Sequence, residues 1–175
     1  HKAIEFYEQA LVIDLEIGDR RGESADLGNL GNRYSNLGNA SKSIEYIEKS
    51  LAIKREIGDR KGESIQIENI GHIWLNLLEY QKAEKNYQEA IQIADETSFP
   101  MVQTNARCGL AEVHLLQNDL VNARTTIEAA LQYDVNNDAY GTTALHGVIT
   151  LRQGERETAQ EAFAKSIAQA DEILS

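Results

Sequence analysis

The sequence has one cysteine, one proline and few valines among its 175 residues, and no strongly basic segment. Each shortage closes off a class of protein. The lone Cys108 rules out an internal disulfide and suits a reducing compartment, so a cytoplasmic protein is expected. Proline occurs only at Pro100, while Ala, Leu, Ile, Glu, Gln and Asn are plentiful, a mix that favours helices over strands. Seventeen basic and 28 acidic residues give a net charge of −11. Such a chain repels phosphate backbones and anionic bilayers, so neither nucleic acid nor membrane is expected as a partner. No apolar run approaches a bilayer-spanning length, and no signal-peptide pattern opens the chain. At 42% hydrophobic residues the chain is long and apolar enough to bury a core.

What is present is repetition. "EIGDRRGES" (Glu16–Ser24) returns as "EIGDRKGES" (Glu56–Ser64), and residues 1–40 match 41–80 at 18 of 40 positions, which sets the period at forty. "KAIEFYEQAL" (Lys2–Leu11) returns at Lys42–Leu51, Lys82–Ile91 and Asn122–Leu131, and a last copy, Thr158–Ile167, follows after 36 residues instead of 40. Second segments begin at Leu27, Ile67, Arg107 and Thr143. Each unit therefore reads as two antiparallel helices, and periods of this size signal a solenoid.

Small residues recur where helices must approach: Gly31, Gly71, Ala111 and Gly147 in first helices, and Ala3, Ser43, Ala83, Ala123 and Ala159 in second helices. Large residues recur between them: Leu30, Ile70 and Leu110; Tyr34, Trp74 and His114; Tyr7, Ile47, Tyr87, Ile127 and Phe163; and Leu11, Leu51, Ile91, Leu131 and Ile167. Trp74 reads as part of this seam and not as a ligand box. In the nonapeptides, Gly18 and Gly58 suit the left-handed residue past a helix end, and Asp19 and Asp59 can cap the next helix. Glu23 and Glu63 suit its positive end. Leu78 and Asn118 stand where the repeat expects a turn glycine. Nine helices are expected, at about 2–17, 20–37, 41–57, 60–78, 81–96, 99–117, 120–133, 137–153 and 156–174. The chain is expected to be a single solenoid domain, 1–175, with a half repeat at 1–18 and repeats at about 19–57, 58–97, 98–135 and 136–175. Because it opens on a second helix, a fragment of a longer protein is expected, with His1 a remnant of a tag or of the cut.

No chemistry is expected. His72 should face a groove while His114 and His146 point inward, so no metal ligand set converges. Cys108 has no base beside it apart from Arg107. "YDVNNDAYG" (Tyr133–Gly141) has Asp134, Asn136 and Asp138 at calcium-loop spacing, but Ala139 and Leu145 replace the glycine and the closing acid. Asn137 or Asp138 there more simply caps a helix. "GNLGN" (Gly28–Asn32) lies inside a helix and follows no strand, so it is not a phosphate loop. No cofactor, metal or catalytic residue is assigned.

The paired helices with Leu30-Gly31, Tyr34, Leu37-Gly38, Ser43, Ile47 and Ser50, and their copies, resemble the tetratricopeptide repeat, in a unit extended to forty. "NLGNRYSNLGN" and "SLAIKREIGDRKGE" look like the subfamily found in spindle-orientation adaptors of the Pins and LGN type. They are also similar to sensor arrays of bacterial signalling ATPases, arrays fused to caspase-like CHAT proteases, and the kinesin light chain. The resemblance implies an all-α, right-handed superhelical solenoid whose first helices line a concave groove that holds a peptide or helix. On that frame the groove residues are Asn32, Ser35 and Asn36; Glu68, Asn69, His72, Leu75 and Asn76; and Asn105, Glu112, Leu115 and Leu116, with Cys108, Val148 and Leu151 beside them. Side-chain amides both donate and accept, which suits a peptide main chain. The Pins-type adaptors use such asparagines, and Asn32 matches their motif, although their groove arginines have no clear equivalents here. The leucines either form an apolar contact surface or pack between helices. The basic clamp of heat-shock co-chaperones is absent: Gly28, Asn32, Asn105 and Gly109 occupy its positions.

The implied function is a non-enzymatic scaffold binding a protein or peptide partner. The alternative is a non-catalytic sensor or regulatory segment of a larger signalling ATPase or protease. Self-association through exposed terminal helices is a third possibility.

Overall fold

The computed structural model describes residues 2–133 and 140–174. The calcium-loop reading at Asp134, Asn136, Asp138 and Ala139, the capping role of Asn137 or Asp138, and the reading of His1 lie outside the described residues. Nine helices follow one another among the described residues: α1 (Lys2–Ile17), α2 (Arg20–Asn36), α3 (Ala40–Glu56), α4 (Arg60–Asn76), α5 (Tyr80–Glu96), α6 (Pro100–Leu116), α7 (Leu120–Leu131), α8 (Tyr140–Arg152) and α9 (Arg156–Leu174).

One turn chemistry joins them. The amide of Asp19 bonds the carbonyl of Asp14 at 2.9 Å, and the same six-residue closure recurs at Asn39, Asp59, Glu79, Phe99 and Asp119. Such a closure requires a left-handed residue just before it. Gly18, Gly38 and Gly58 supply it with φ of +71 to +74°, and Leu78, Ser98 and Asn118 adopt it at 59°, 48° and 61° without being glycine. Helix α4 therefore ends at Asn76, two residues short of the expectation, because Leu77-Leu78 forms the turn. The expected caps are in place: Asp19 accepts from the amides of Arg21 and Gly22, and Asp59 from Gly62. Asn39 and Asp119 do the same for α3 and α7. Glu79 and Phe99 head α5 and α6 without a side-chain cap.

The small-against-large ladder is the packing rule. A Cβ on Gly31 would lie 2.5 Å from Ile47, one on Gly71 2.9 Å from the Tyr87 ring, and one on Gly147 2.8 Å from Phe163. Where serine replaces alanine on α3, its hydroxyl finds a carbonyl: Ser43 donates to Gly31 and Ser50 to Ser24. The main core runs from Ile47 and Leu51 through Ile67, Ile70 and Tyr87 to Val102 and Val113. A second cluster, Ala111, Ala123, Ile127, Ala130 and Ile149, continues it. Trp74 packs half-buried against the main core, with the Lys82 ammonium 4.2 Å from its ring centre. One seam expectation is corrected: Ile167 is 63% exposed, because no helix among those described packs on that face of α9. Thr150, where the repeat expects an aromatic, is buried and turns its hydroxyl back onto the carbonyls of His146 and Gly147.

The layers set the curvature. Helix α2 touches α4, α4 touches α6 and α6 touches α8, whereas α1, α3, α5, α7 and α9 touch only their chain neighbours. The even helices thus form a close inner row, and the stack bends into a superhelical solenoid around them.

The nonapeptide joints are stapled across repeats. Arg20 bridges Glu23 and Glu56, and Arg60 bridges Glu63 at 2.5 Å and Glu96 at 2.8 Å. Glu63 is buried between Arg60 and Arg55.

Candidate functional site on the concave face

The even helices bring the groove residues of three units onto one concave surface. On α2, Asn32 and Ser35 are half-buried and Asn36 is exposed. On α4, Asn69 is half-buried, while His72 and Asn76 are exposed. On α6, Asn105, Glu112 and Leu116 are exposed and Leu115 is half-buried. Glu68 and Leu75 sit deeper, 6% and 7% exposed. Leu75 belongs to the main core and Leu115 packs on the second cluster, so these two leucines fasten helices together. Leu116 and Leu151, 51% and 50% exposed, remain on the surface. Ser35 and Asn76 meet in one depression of about 250 Å³ with Ile73 and Leu77. Asn105 and Leu116 stand at opposite ends of α6, roughly 16 Å apart by helical rise, so only an extended ligand touches both.

The centre of the face is a hydrogen-bonded chain. Tyr87 inserts from α5 between Gly71 of α4 and Gly109 of α6, where a Cβ on Gly109 would fall 2.3 Å from Cζ of its ring. Its hydroxyl lies 2.8 Å from Nδ1 of His72, and Nε2 of His72 lies 3.4 Å from Oε1 of Glu68. A carboxylate only accepts, so the tautomer that satisfies both contacts has the proton on Nε2, towards Glu68, and accepts from the Tyr87 hydroxyl at Nδ1. Burial, together with the charges of Glu112 and Glu68, pushes the Tyr87 hydroxyl far above the ordinary tyrosine range. It therefore stays a proton donor and is no nucleophile. Cys108, one turn from Glu112, lies 3.0 Å from the Thr142 hydroxyl of α8. Among the described residues no group of three or more His, Cys, Asp or Glu side chains converges as metal ligands do. No described helix is long and apolar enough to cross a membrane.

The part of the site not anticipated is Tyr87. Its position in the repeat reads as core, beside Ile47, Ile127 and Phe163. The signal that marks it is Gly109, which breaks a column begun by Asn29 and Asn69 and clears the path for the hydroxyl.

The groove asparagines are chemically open. Asn32, Asn36, Asn69, Asn76 and Asn105 make no side-chain hydrogen bond among the described residues. In contrast, Asn39 caps α3, Asn86 donates to the Lys82 carbonyl and Asn122 donates to Asp119.

Comparison with known proteins agrees with this architecture. The tetratricopeptide repeat family matches residues 27–57, which is α2 from Leu27 through α3. No curated protein sequence matches the chain significantly. Among solved structures, BtubC from P. vanneervenii superimposes with a TM-score of 0.84 at 20% identity, over 99% of this chain and 74% of that one. Aspartyl phosphate phosphatase F from Bacillus subtilis gives 0.86 at 16% identity, over 97% and 46%. A signal transduction ATPase with numerous domains and a tetratricopeptide repeat sensor, from Pyrococcus horikoshii, gives 0.82 at 19% identity, over 99% and 28%. The chain thus carries a tetratricopeptide-repeat match at residues 27–57, and the same helix pairing continues through a stack with the fold of these solved structures.

Proposed function

We propose that the concave face binds an extended peptide or a helix of a protein partner, and that the chain acts as a non-catalytic scaffold. The observation that carries this reading is the set of five groove asparagines, Asn32, Asn36, Asn69, Asn76 and Asn105, whose amides make no side-chain hydrogen bond among the described residues. These amides, two on α2, two on α4 and one on α6, can hold peptide groups of a ligand main chain. The Tyr87–His72–Glu68 chain fixes one ring between them, and Leu116 and Leu151 offer apolar contact at the far end.

The test is selection of peptides from a random displayed library on the intact chain, followed by affinity measurement against an Asn32→Ala/Asn76→Ala double variant. Weakening of roughly tenfold or more, at unchanged melting temperature, is expected; loss of one or two hydrogen bonds to an open ligand has this size. Equal affinity for both proteins overturns the assignment.

A second reading is supported by the likeness to the sensor-bearing signalling ATPase: the stack is a regulatory segment. It predicts an ATPase or protease domain in the same reading frame whose turnover changes when the groove variants are introduced. A frame that encodes the stack alone removes it. Self-association through α1, whose Phe6 and Ile17 are 68% and 70% exposed, is tested by light scattering on dilution. A particle mass independent of concentration rejects it.

A further inference from the structure

The two nonapeptide copies face each other across a cleft that lies apart from the concave groove. Arg21 comes from the first copy, Asp59, Arg60 and Lys61 from the second, and Lys54 from the end of α3, around a space of about 530 Å³. Four cations thus surround one carboxylate, in a chain whose net charge is −11.

The internal pairing is incomplete. Asp59 accepts from the Gly62 amide at Oδ1 and from Lys54 at Oδ2, while Arg21 lies within its field without making an ion-pair contact. Arg60 turns to Glu63 and Glu96. Arg21 and Lys61 make no ion pair among the described residues; the Lys61 ammonium rests 5.4 Å from the centre of the Phe99 ring. Both sit in the first turn of a helix, α2 and α4, whose positive ends open on the same edge.

This arrangement is not required by packing, because the neighbouring joints lack it. At the Lys54 position the preceding joint has Asp14 and the following one Ala94, and at the position of Arg21 and Lys61 the third unit has Met101. A repeat protein repeats what its packing needs; Lys54 departs from the repeat, and the basic position of Arg21 and Lys61 is kept in two units and lost in the third.

We propose that the cleft binds an oxyanion of the phosphate type, free or carried on a side chain of a partner protein. A phosphate group offers several charged acceptor oxygens, which matches two unpaired cations on facing helices better than a single carboxylate does. At physiological ionic strength the field of acidic residues farther away than about 8 Å is largely screened, so the cations of the cleft dominate at the site itself. The site therefore acts on an anion that has already arrived.

The experiment is an amide chemical-shift titration of the full chain with inorganic phosphate, against sodium chloride at matched ionic strength. Saturable shifts are expected at Arg21, Lys61 and Gly62, with affinity reduced about tenfold or more in an Arg21→Ala/Lys61→Ala variant. Both residues are exposed, so the variant should keep its melting temperature. A phosphoserine peptide with no other charged side chain forms the second arm. Binding about tenfold tighter than inorganic phosphate assigns the anion to a partner, and equal or weaker binding assigns it to a free anion. Shifts that follow ionic strength alone, or that persist in the double variant, overturn the proposal.

Discussion

Tyr87 fills the gap left by Gly71 and Gly109, and its buried hydroxyl bonds His72. Because that ring is fully buried against a Gly109 position with no spare space, Gly109→Ala forces either the ring or α6 to move. Overpacking of this kind costs about 2 kcal/mol, which for a chain of this size lowers the melting temperature by roughly 4–8 °C. Thermal denaturation followed by circular dichroism measures it. Acid acts at other single residues. Asp59 is held below the ordinary aspartate range: partial burial pushes it up, but the Gly62 amide and Lys54 outweigh that. Asp119 is held down by the side chain and then the amide of Asn122. A carboxyl depressed on folding stabilises the fold above its unfolded value and stops doing so as pH falls through its folded one. The contribution of these two carboxyls should therefore hold from neutrality to about pH 4 and be lost below it, so that below pH 4 the melting temperature falls more steeply in the native chain than in an Asp59→Asn/Asp119→Asn variant. Not all of this was readable in advance. The caps followed from Asp-Arg after a glycine, but the contact of the Tyr87 hydroxyl with His72 depends on Gly71 and Gly109, which lie on two different helices and form no local pattern.

Helices and turns are where the sequence spoke most clearly. The starts of α2, α4 and α6 at Arg20, Arg60 and Pro100 fall within a residue of expectation, because each follows a left-handed turn with its own local chemistry. Their ends were harder. A run of leucines at Leu75, Leu77 and Leu78 continues a helical pattern, so nothing local announces that Leu78 must take the place of glycine. A leucine in that region carries about 1–2 kcal/mol of strain, and a glycine there loses part of the gain to its freer unfolded chain. Leu78→Gly should stabilise the fold by about 0.5–1 kcal/mol, since the leucine is 65% exposed and gives up little packing. Asn118→Gly should be nearly neutral, because asparagine visits the left-handed region readily. Urea denaturation of the two variants side by side separates them. A larger gain at Asn118 than at Leu78 contradicts the account.

At the scale of the molecule, stability follows the core. Helix α1 has no buried residue, whereas α4 alone buries Ile67, Ile70, Ile73 and Leu75 together with Glu63 and Glu68. Solenoid repeats draw their stability from neighbours, so a terminal helix with one neighbour opens first. Amide hydrogen exchange should be fastest in α1, and slowest in α4 through α6. Uniform protection along the chain would falsify this gradient. The period of forty showed that such a gradient had to exist; which repeat forms its summit was legible only in the packing, where Tyr87 joins the second and third units and the buried Glu63 joins the second to Arg55 of the first. The contact pattern also has a mechanical consequence. The inner row of even helices is continuous, and the outer helices never meet one another. Such a body behaves as a bellows with its hinge line inside. Pulling the two ends apart unbends the stack: the inner row spreads, the outer rods draw together and the groove flattens. Under the proposed function, ligand occupancy and tension would then be coupled: a partner fitted to the curved inner face would resist extension, and stretching the chain would expel it.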